Sequence, residues 1–351
     1  AFIAGCGCRA GILCAFLVIS VLTSALILSP NGAGGQPPAV ALRAGALSSG
    51  TWRWELTVIE QLGLDRKHGF DLELVCYAGQ TATGVAIQGG AVDCTVHDWL
   101  WVARQRVRGL ELVGVAPFTM NTAALIVPKD SPIQGLGDLR GKQIGVVNIL
   151  DKGYLLLRAA CLSQYGFDLH KEAKIVCGSP PLLSGLLRKG EFDAIIQFWQ
   201  HTPALLASGE YHRVLDLTEL ITSLWVAEPV PFGVYTFREE FAREHPEVVR
   251  GFIAATWEAK AYLADHAEIW PSLAEQIGIT DASVVSLVRD LYIQGTPRRW
   301  DDATLANIVT LFNVLLDVAG PEVLGMSRFP QGTCSLEYFA AAMSGEGAGK
   351  P

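Results

Sequence analysis

The sequence lacks most of the local signatures of a catalyst or a nucleic-acid binder. It has no dense lysine and arginine run, and 35 acidic residues outnumber 27 basic ones for a net charge of −8. A broad nucleic-acid surface is therefore excluded. It contains no Gly-x-Ser-x-Gly, no phosphate-binding P-loop and no zinc spacing. His97 adjoins Asp98, but strand neighbours point to opposite faces, and His201 and His212 have no partner at ligand spacing. No metal and no cofactor is expected. Of eight cysteines, Cys6, Cys8 and Cys14 fall in an N-terminal apolar segment. The other five, Cys76, Cys94, Cys161, Cys177 and Cys334, are an odd number with no close pair, which is not a disulfide framework. Cys76, Cys94 and Cys177 lie in expected buried strands, where a thiol packs as a small apolar group. A Cys161–Cys177 bridge is the one pairing left open.

What is present is apolar and long. Half of the 351 residues are hydrophobic and 18% are charged, so the chain is globular with room for two domains. Arg9 precedes an apolar run, Gly11 to Leu28, followed by Ser29-Pro30-Asn31-Gly32. That architecture predicts a secretory signal, and its length also admits a retained membrane anchor over residues 9–28. Residues 1–40 are assigned to this segment and its linker, and residues 346–351 to a disordered tail.

Residues 69–99 and 166–199 carry one pattern twice. The first copy starts Gly69-Phe70-Asp71-Leu72, turns at Gly79-Gln80, passes Gly90-Ala91-Val92-Asp93 and ends Asp98-Trp99. The second starts Gly166-Phe167-Asp168-Leu169, turns at Ser179-Pro180-Pro181, passes Gly190-Glu191-Phe192-Asp193 and ends Phe198-Trp199. Each reads as strand, turn, short helix, glycine stop, strand, with strands buried on both faces. Two such βαβ units predict two α/β lobes. Ligands of open α/β sheets sit at the carboxyl ends of the strands, so two opposed edges make a cleft.

Around the repeats, a strand is expected over Val40–Ala44 and a helix from Trp52 to about Gly63, with Thr51 as N-cap. Further strands are expected over 112–116, 143–147 and 214–217, and a helix from Asp151. After Pro246 the pattern turns helical, with further helices near 281–293 and 302–318. The extended segments 122–127 and 231–236 are the expected interlobe crossings. Lobe one then comprises 41–124 plus 231–345, and lobe two 125–230.

The segments Gly63-Leu64, His68-Gly69-Phe70-Asp71-Leu72-Glu73-Leu74-Val75, Gly79-Gln80 and Gly90-Ala91-Val92-Asp93 occur in a telling order. They are followed by Val127-Pro128-Lys129-Asp130-Ser131-Pro132-Ile133 and Asp138-Leu139-Arg140-Gly141-Lys142-Gln143-Ile144-Gly145-Val146. In that order the chain resembles the periplasmic solute-binding proteins of ABC importers, in the branch serving sulfonates, taurine, nitrate and the pyrimidine precursor of thiamine. The resemblance covers nearly everything after residue 40. It implies a periplasmic binding protein-like (type II) fold, export to the periplasm, a small-molecule ligand, and the membrane subunits of an importer as partners, with a monomer expected. The stretch Asp98 to Arg106 and Gly332-Thr333 also resembles binding proteins associated with quinoprotein alcohol dehydrogenases, which leaves an accessory role beside a dehydrogenase as an alternative. A pyrimidine-precursor synthase is the second alternative, but the cysteine-rich loop of the yeast-type enzymes is not found.

The candidate ligand set is drawn from strand ends. Trp52, Trp99, Phe198 and Trp199 offer aromatic faces for stacking, whereas Trp54 and Trp101 read as the buried sides of their helices. Ser49 and Thr51, in the loop from Ser48 to Thr51, either present hydroxyls and helix amides to an anionic group or simply cap a helix. Asn121 and Thr122 precede the first crossing; Asp98 and Asp151 either pair with a cationic ligand group or cap helices. Gln80, Asn148, Tyr154, Pro180 and Phe232 complete the set. Arg53 and Lys152 are the cations nearest these strand ends, and two acids with few cations fit a neutral heterocycle or an amine better than sulfonate or nitrate.

Overall fold

The structure is a computed structural model that describes residues 39–344; the expected signal or anchor segment over 9–28 and the tail 346–351 lie outside the described residues. The chain alternates strands and helices as β1 (Val40–Leu47), α1 (Trp52–Leu62), β2 (Phe70–Tyr77), α2 (Gln80–Gln88), β3 (Cys94–Asp98), α3 (Trp99–Val107) and β4 (Leu112–Thr119). It continues through β5 (Ala123–Pro128), β6 (Gln143–Val146), α4 (Lys152–Tyr165), β7 (Lys174–Cys177), α5 (Pro180–Arg188), β8 (Ala194–Phe198), β9 (Tyr211–Asp216) and β10 (Gly233–Arg238). The longer C-terminal helices are α6 (Pro246–Asp265), α7 (Ala282–Gln294) and α8 (Asp302–Ala319). Two five-stranded sheets result, ordered β2-β1-β3-β10-β4 and β7-β6-β8-β5-β9.

The repeat is visible in register. Ala44 and Gly45 of β1 lie beside Cys94 and Thr95 of β3, while Ile144 and Gly145 of β6 lie beside Ala194 and Ile195 of β8. One polar device fixes both copies. The Asp93 carboxylate accepts the Arg43 amide at 3.1 Å, and the Asp193 carboxylate accepts the Gln143 amide at 2.7 Å. The expected helix stop at Gly63 is a left-handed C-cap with φ 63°, a conformation that costs a residue with a Cβ.

Several expectations need correction. β2 and β7 are sheet edges, not strands buried on both faces, because β1 and β6 insert between the two strands of each repeat. Cys76 and Cys177 are accordingly exposed, Cys94 alone of the three is buried, and Cys161 and Cys177 are free thiols. In the second copy Gly166 ends α4 and Asp168 caps a one-turn helix, Leu169–Glu172, before β7 begins. Segment 122–127 does not cross between lobes: β5 lies wholly in the second sheet, and the chain crosses at 120–122. It returns between the short helix Leu220–Ser223 and β10, turning at Trp225, an exposed residue with φ 60°.

Not every C-terminal helix stays with the first sheet. α6 packs on α1 and β2, but α8 packs against α4 and α7 reaches the helix Thr202–Leu206, both on the second sheet. The stripe Thr304, Ile308, Leu311, Phe312 and Leu315, at helical spacing, is the buried face of α8.

Candidate functional site at the meeting of strand ends

The carboxyl ends of the two sheets touch. Trp54 in the first turn of α1 meets Trp199, just beyond β8, edge to face with ring centroids 6.3 Å apart at 82°. This geometry suits the quadrupoles of two indoles. Trp54 also packs on Trp270 and Tyr292. Its burial agrees with the sequence reading; its contact with the opposite lobe was not foreseen, and that contact leaves Trp199, expected to face an open cleft, buried as well.

Two aspartates, one from each lobe, lie within reach of one another's charge. Asp98 caps α3 by accepting the Trp101 amide at 2.8 Å, and Asp151 caps α4 by accepting the Gly153 amide at 2.8 Å. Burial pushes the Asp151 carboxyl above the usual carboxylate range; Lys152 pulls it down and the Asp98 charge pushes it up. Lys152 Nζ lies 3.9 Å from Asp151 and 5.2 Å above the Phe198 ring. Arg104 completes the group. Its guanidinium donates to the Leu324 carbonyl at 3.2 Å and reaches the Leu150 carbonyl, in the loop before α4, at a long 3.4 Å. Burial lowers its pKa, and both aspartates oppose that shift. Two acids are thus balanced by two bases.

Arg104 was missed as a site residue. The available signal was its place four residues after Leu100, a cation on a stripe that is otherwise apolar.

Other candidates divide. Ser49 and Asn148 are exposed in strand-end loops, and Gln80 is exposed at the start of α2. Asn148 closes its own turn on the Leu150 amide at 2.8 Å. Pro180 opens α5 and its carbonyl accepts the Gln197 side chain at 2.9 Å. Thr51 is buried but not a side-chain cap: its backbone is already helical, because the turn closes earlier, Gly50 amide to Leu47 carbonyl.

Four candidates leave the cleft for the core. Trp52 packs against Tyr235 and Phe252. Trp99 is fully buried, stacked at 5.1 Å on Phe232, with its indole N–H on the Pro231 carbonyl at 3.1 Å. Trp99 and Phe232 therefore fasten the second crossing rather than wall a cleft. Tyr154 is buried and its hydroxyl shares a 2.7 Å hydrogen bond with His170 Nδ1, which ties down the one-turn helix before β7.

Asn121 and Thr122 belong to the hinge. Asn121 Nδ2 donates to the Leu291 carbonyl at 2.8 Å, and the Thr122 and Thr218 hydroxyls meet at 3.1 Å. The Met120 amide donates to the Gly295 carbonyl at 2.8 Å, an approach so close that a Cβ at position 295 would collide with Asn121. Among the described residues no three His, Cys, Asp or Glu side chains group as metal ligands.

Two lobes of matching strand order joined by two short crossings define the periplasmic binding protein-like fold. Residues 55–268 match the family described as NMT1/THI5 like. The taurine-binding periplasmic protein of Escherichia coli K12 is 29% identical over 197 residues, 54% of this chain and 58% of that protein. The match thus spans little more than half the length of that curated relative. Among solved structures, the periplasmic aliphatic sulphonate binding protein SsuA of Escherichia coli superposes with a TM-score of 0.67 at 19% identity, covering 79% of this chain and 87% of SsuA. The desulfurization enzyme DszB superposes at 0.59 with 19% identity, covering 88% and 99%. These two likenesses show the fold, which carries both binding proteins and an enzyme. The chain belongs to the NMT1/THI5-like family.

Proposed function

We propose that this chain is an extracytoplasmic solute-binding protein that captures a small organic molecule between its lobes and delivers it to an ABC importer. The observation that carries this reading is contact between the lobes at their strand ends: Trp54 on Trp199, and Arg104 of α3 reaching the Leu150 carbonyl beside the Asp151 cap. A ligand touching both lobes stabilises the closed form by its differential contact alone, and an importer recognises that shape. Family membership and the taurine-binding relative support the same reading. The predicted export signal agrees with a periplasmic location. Binding without catalysis is the assignment.

The ligand class follows from charge. Each aspartate is already committed to a helix cap and each is matched by a buried or half-buried base, so these four residues offer no unbalanced cation to a simple anion. A neutral or amine-bearing molecule fits better than nitrate or an alkanesulfonate.

Native mass spectrometry of gently purified protein, followed by thermal shift with taurine, an alkanesulfonate, nitrate and a neutral pyrimidine, tests both levels. A retained small molecule, or a melting point rising with ligand concentration, is the expected result. Stabilisation by nitrate or the alkanesulfonate alone would overturn the ligand class while leaving the binding role standing. No retained molecule and no shift with any of the four would count against the binding role.

A further inference from the structure

Beside the interlobe contact lies a buried polar cluster that the sequence reading did not touch. Glu55 follows Trp54 in the first turn of α1 and is fully buried. Its carboxylate accepts Lys260 Nζ of α6 at 2.6 Å, the Tyr292 hydroxyl of α7 at 2.8 Å, and the Tyr235 hydroxyl of β10. Lys260 also donates to the Phe118 carbonyl at 2.9 Å, and its ammonium lies 5.1 to 5.8 Å from the rings of Phe118, Tyr292 and Tyr235.

Three of these residues, Phe118, Tyr235 and Tyr292, share one property: each belongs to an element that ends at, or holds, a crossing. Phe118 is the penultimate residue of β4, just before the first crossing. Tyr235 is the third residue of β10, just after the second. Tyr292 stands next to Leu291, whose carbonyl holds Asn121, and three residues before Gly295, whose carbonyl holds Met120. A single carboxylate therefore reaches both crossings in one or two hydrogen bonds. It is one peptide bond away from the tryptophan that touches the other lobe.

We propose that Glu55 is the hinge-positioning residue: with Lys260 and Tyr292 it fixes the lobe-one ends of both crossings to the helix whose first turn reports contact with lobe two. A buried carboxylate must keep its donors, so α1 cannot tilt without carrying Lys260 and Tyr292 with it. When Trp199 leaves Trp54 on opening, the first turn of α1 loses its support, and the cluster passes that change to Phe118 and to the carbonyls holding residues 120 and 121. The inference rests on the lobes opening and closing as the binding reading requires.

Hydrogen–deuterium exchange by mass spectrometry on the full chain without ligand tests it, so ligand identity does not enter. In Glu55→Gln, exchange should speed up at least tenfold in peptides covering 117–123 and 96–101. These report the Met120 amide on Gly295 and the Trp99 amide on Phe232. Peptides covering 154–161 in α4 and 40–47 in β1 should be unchanged. Tyr292→Phe, which keeps the Glu55–Lys260 pair, should give a smaller rise confined to 117–123, and it carries the test if Glu55→Gln does not fold. Equal acceleration across 40–47 and the crossings would make the cluster a general stabiliser and overturn the proposal. Unchanged crossings in the folded variants would overturn it too. Neither outcome bears on whether a solute binds.

Discussion

The two lobes share a strand order, a register and an aspartate that pins the first strand, yet they differ in what fills the space behind the strands. The first lobe buries Glu55, Lys260, Tyr235 and Tyr292 under the hinge. In the second, Ala124, Ile126, Leu183, Leu187, Phe192, Ile195 and Leu205 pack together, and the buried Gln197 side chain serves its own lobe, donating to the Pro180 carbonyl and the Ser184 hydroxyl. The duplicated βαβ unit does not account for this difference. It comes from α6 and α7, added after the chain has returned to the first sheet. The repeat builds two similar cleft walls; the C-terminal addition makes one of them the lobe that holds the hinge.

The largest effect should come from breaking that asymmetry. Lys260→Met leaves Glu55 without its cation in a site closed to water, and removal of one partner of a buried pair typically costs about 3–5 kcal/mol. Urea melts should show that loss. A drop of less than about 1 kcal/mol would mean that the two tyrosines hold the carboxylate by themselves.

The paired tryptophans come next. Trp54→Ala removes a ring packed on Trp270, Tyr292 and Trp199 and should destabilise the fold by about 3–5 kcal/mol. Trp199→Ala removes a ring that faces the other lobe, so its main effect should be on ligand affinity, weakened roughly ten- to a hundredfold. Its fold stability should fall less than that of Trp54→Ala. Titration calorimetry and thermal melts separate the two. If Trp199→Ala binds normally but melts early, the junction is a core and not a site.

The ease with which the strands were read, against the tryptophans, has a physical cause. Strand alternation and glycine stops are local, and the Asp93 and Asp193 positions came with the repeat. The Asp151 cap was legible for the same reason, since an aspartate four residues before Leu155 serves the first free amides of a helix. Strand order is not local: nothing within residues 69–99 says that β1 will lie between β2 and β3, and so the exposure of Cys76 was misjudged. Side-chain direction at a strand end is decided by what arrives later. Trp99 turned inward because Pro231 and Phe232 pack on it, more than 130 residues downstream. Glu55 and Lys260 are 205 residues apart, and no spacing argument could join them.

A smaller contrast separates the two pinning aspartates. Asp93 also holds the Arg43 side chain in two hydrogen bonds, 2.6 and 2.9 Å, with its own side chain almost fully buried. Asp193 accepts only the Gln143 amide by its side chain, at an exposed position. Asp93→Ala should cost about 1–3 kcal/mol, the range for stranding buried donors, and Asp193→Ala about 1 kcal/mol or less. Equal losses in denaturant melts would mean that the backbone bond, common to both, is the whole of the effect.

The finest test uses opposite pKa shifts within the second lobe. Asp168 is held below the usual carboxylate range, chiefly by its hydrogen bonds from Arg158 at 2.7 and 2.9 Å. A depressed folded pKa means that the pair supports the fold above the unfolded carboxylate value, and that this support is lost as pH falls through the depressed one. Asp151 is shifted upward by burial, so the sign reverses. Its ionisation is harder in the folded state, and stability is given up as pH rises from the unfolded carboxylate value, around pH 4, to the raised folded one. Asparagine keeps the cap in Asp151→Asn but removes this titration. The melting point of Asp151→Asn relative to the parent should therefore climb as pH increases through that window, by a few degrees at most. That of Asp168→Asn should fall over the acid range just below it. If both variants drift the same way, the Lys152 ammonium rather than burial governs Asp151. The balanced junction would then carry a stronger internal ion pair than its 3.9 Å separation indicates.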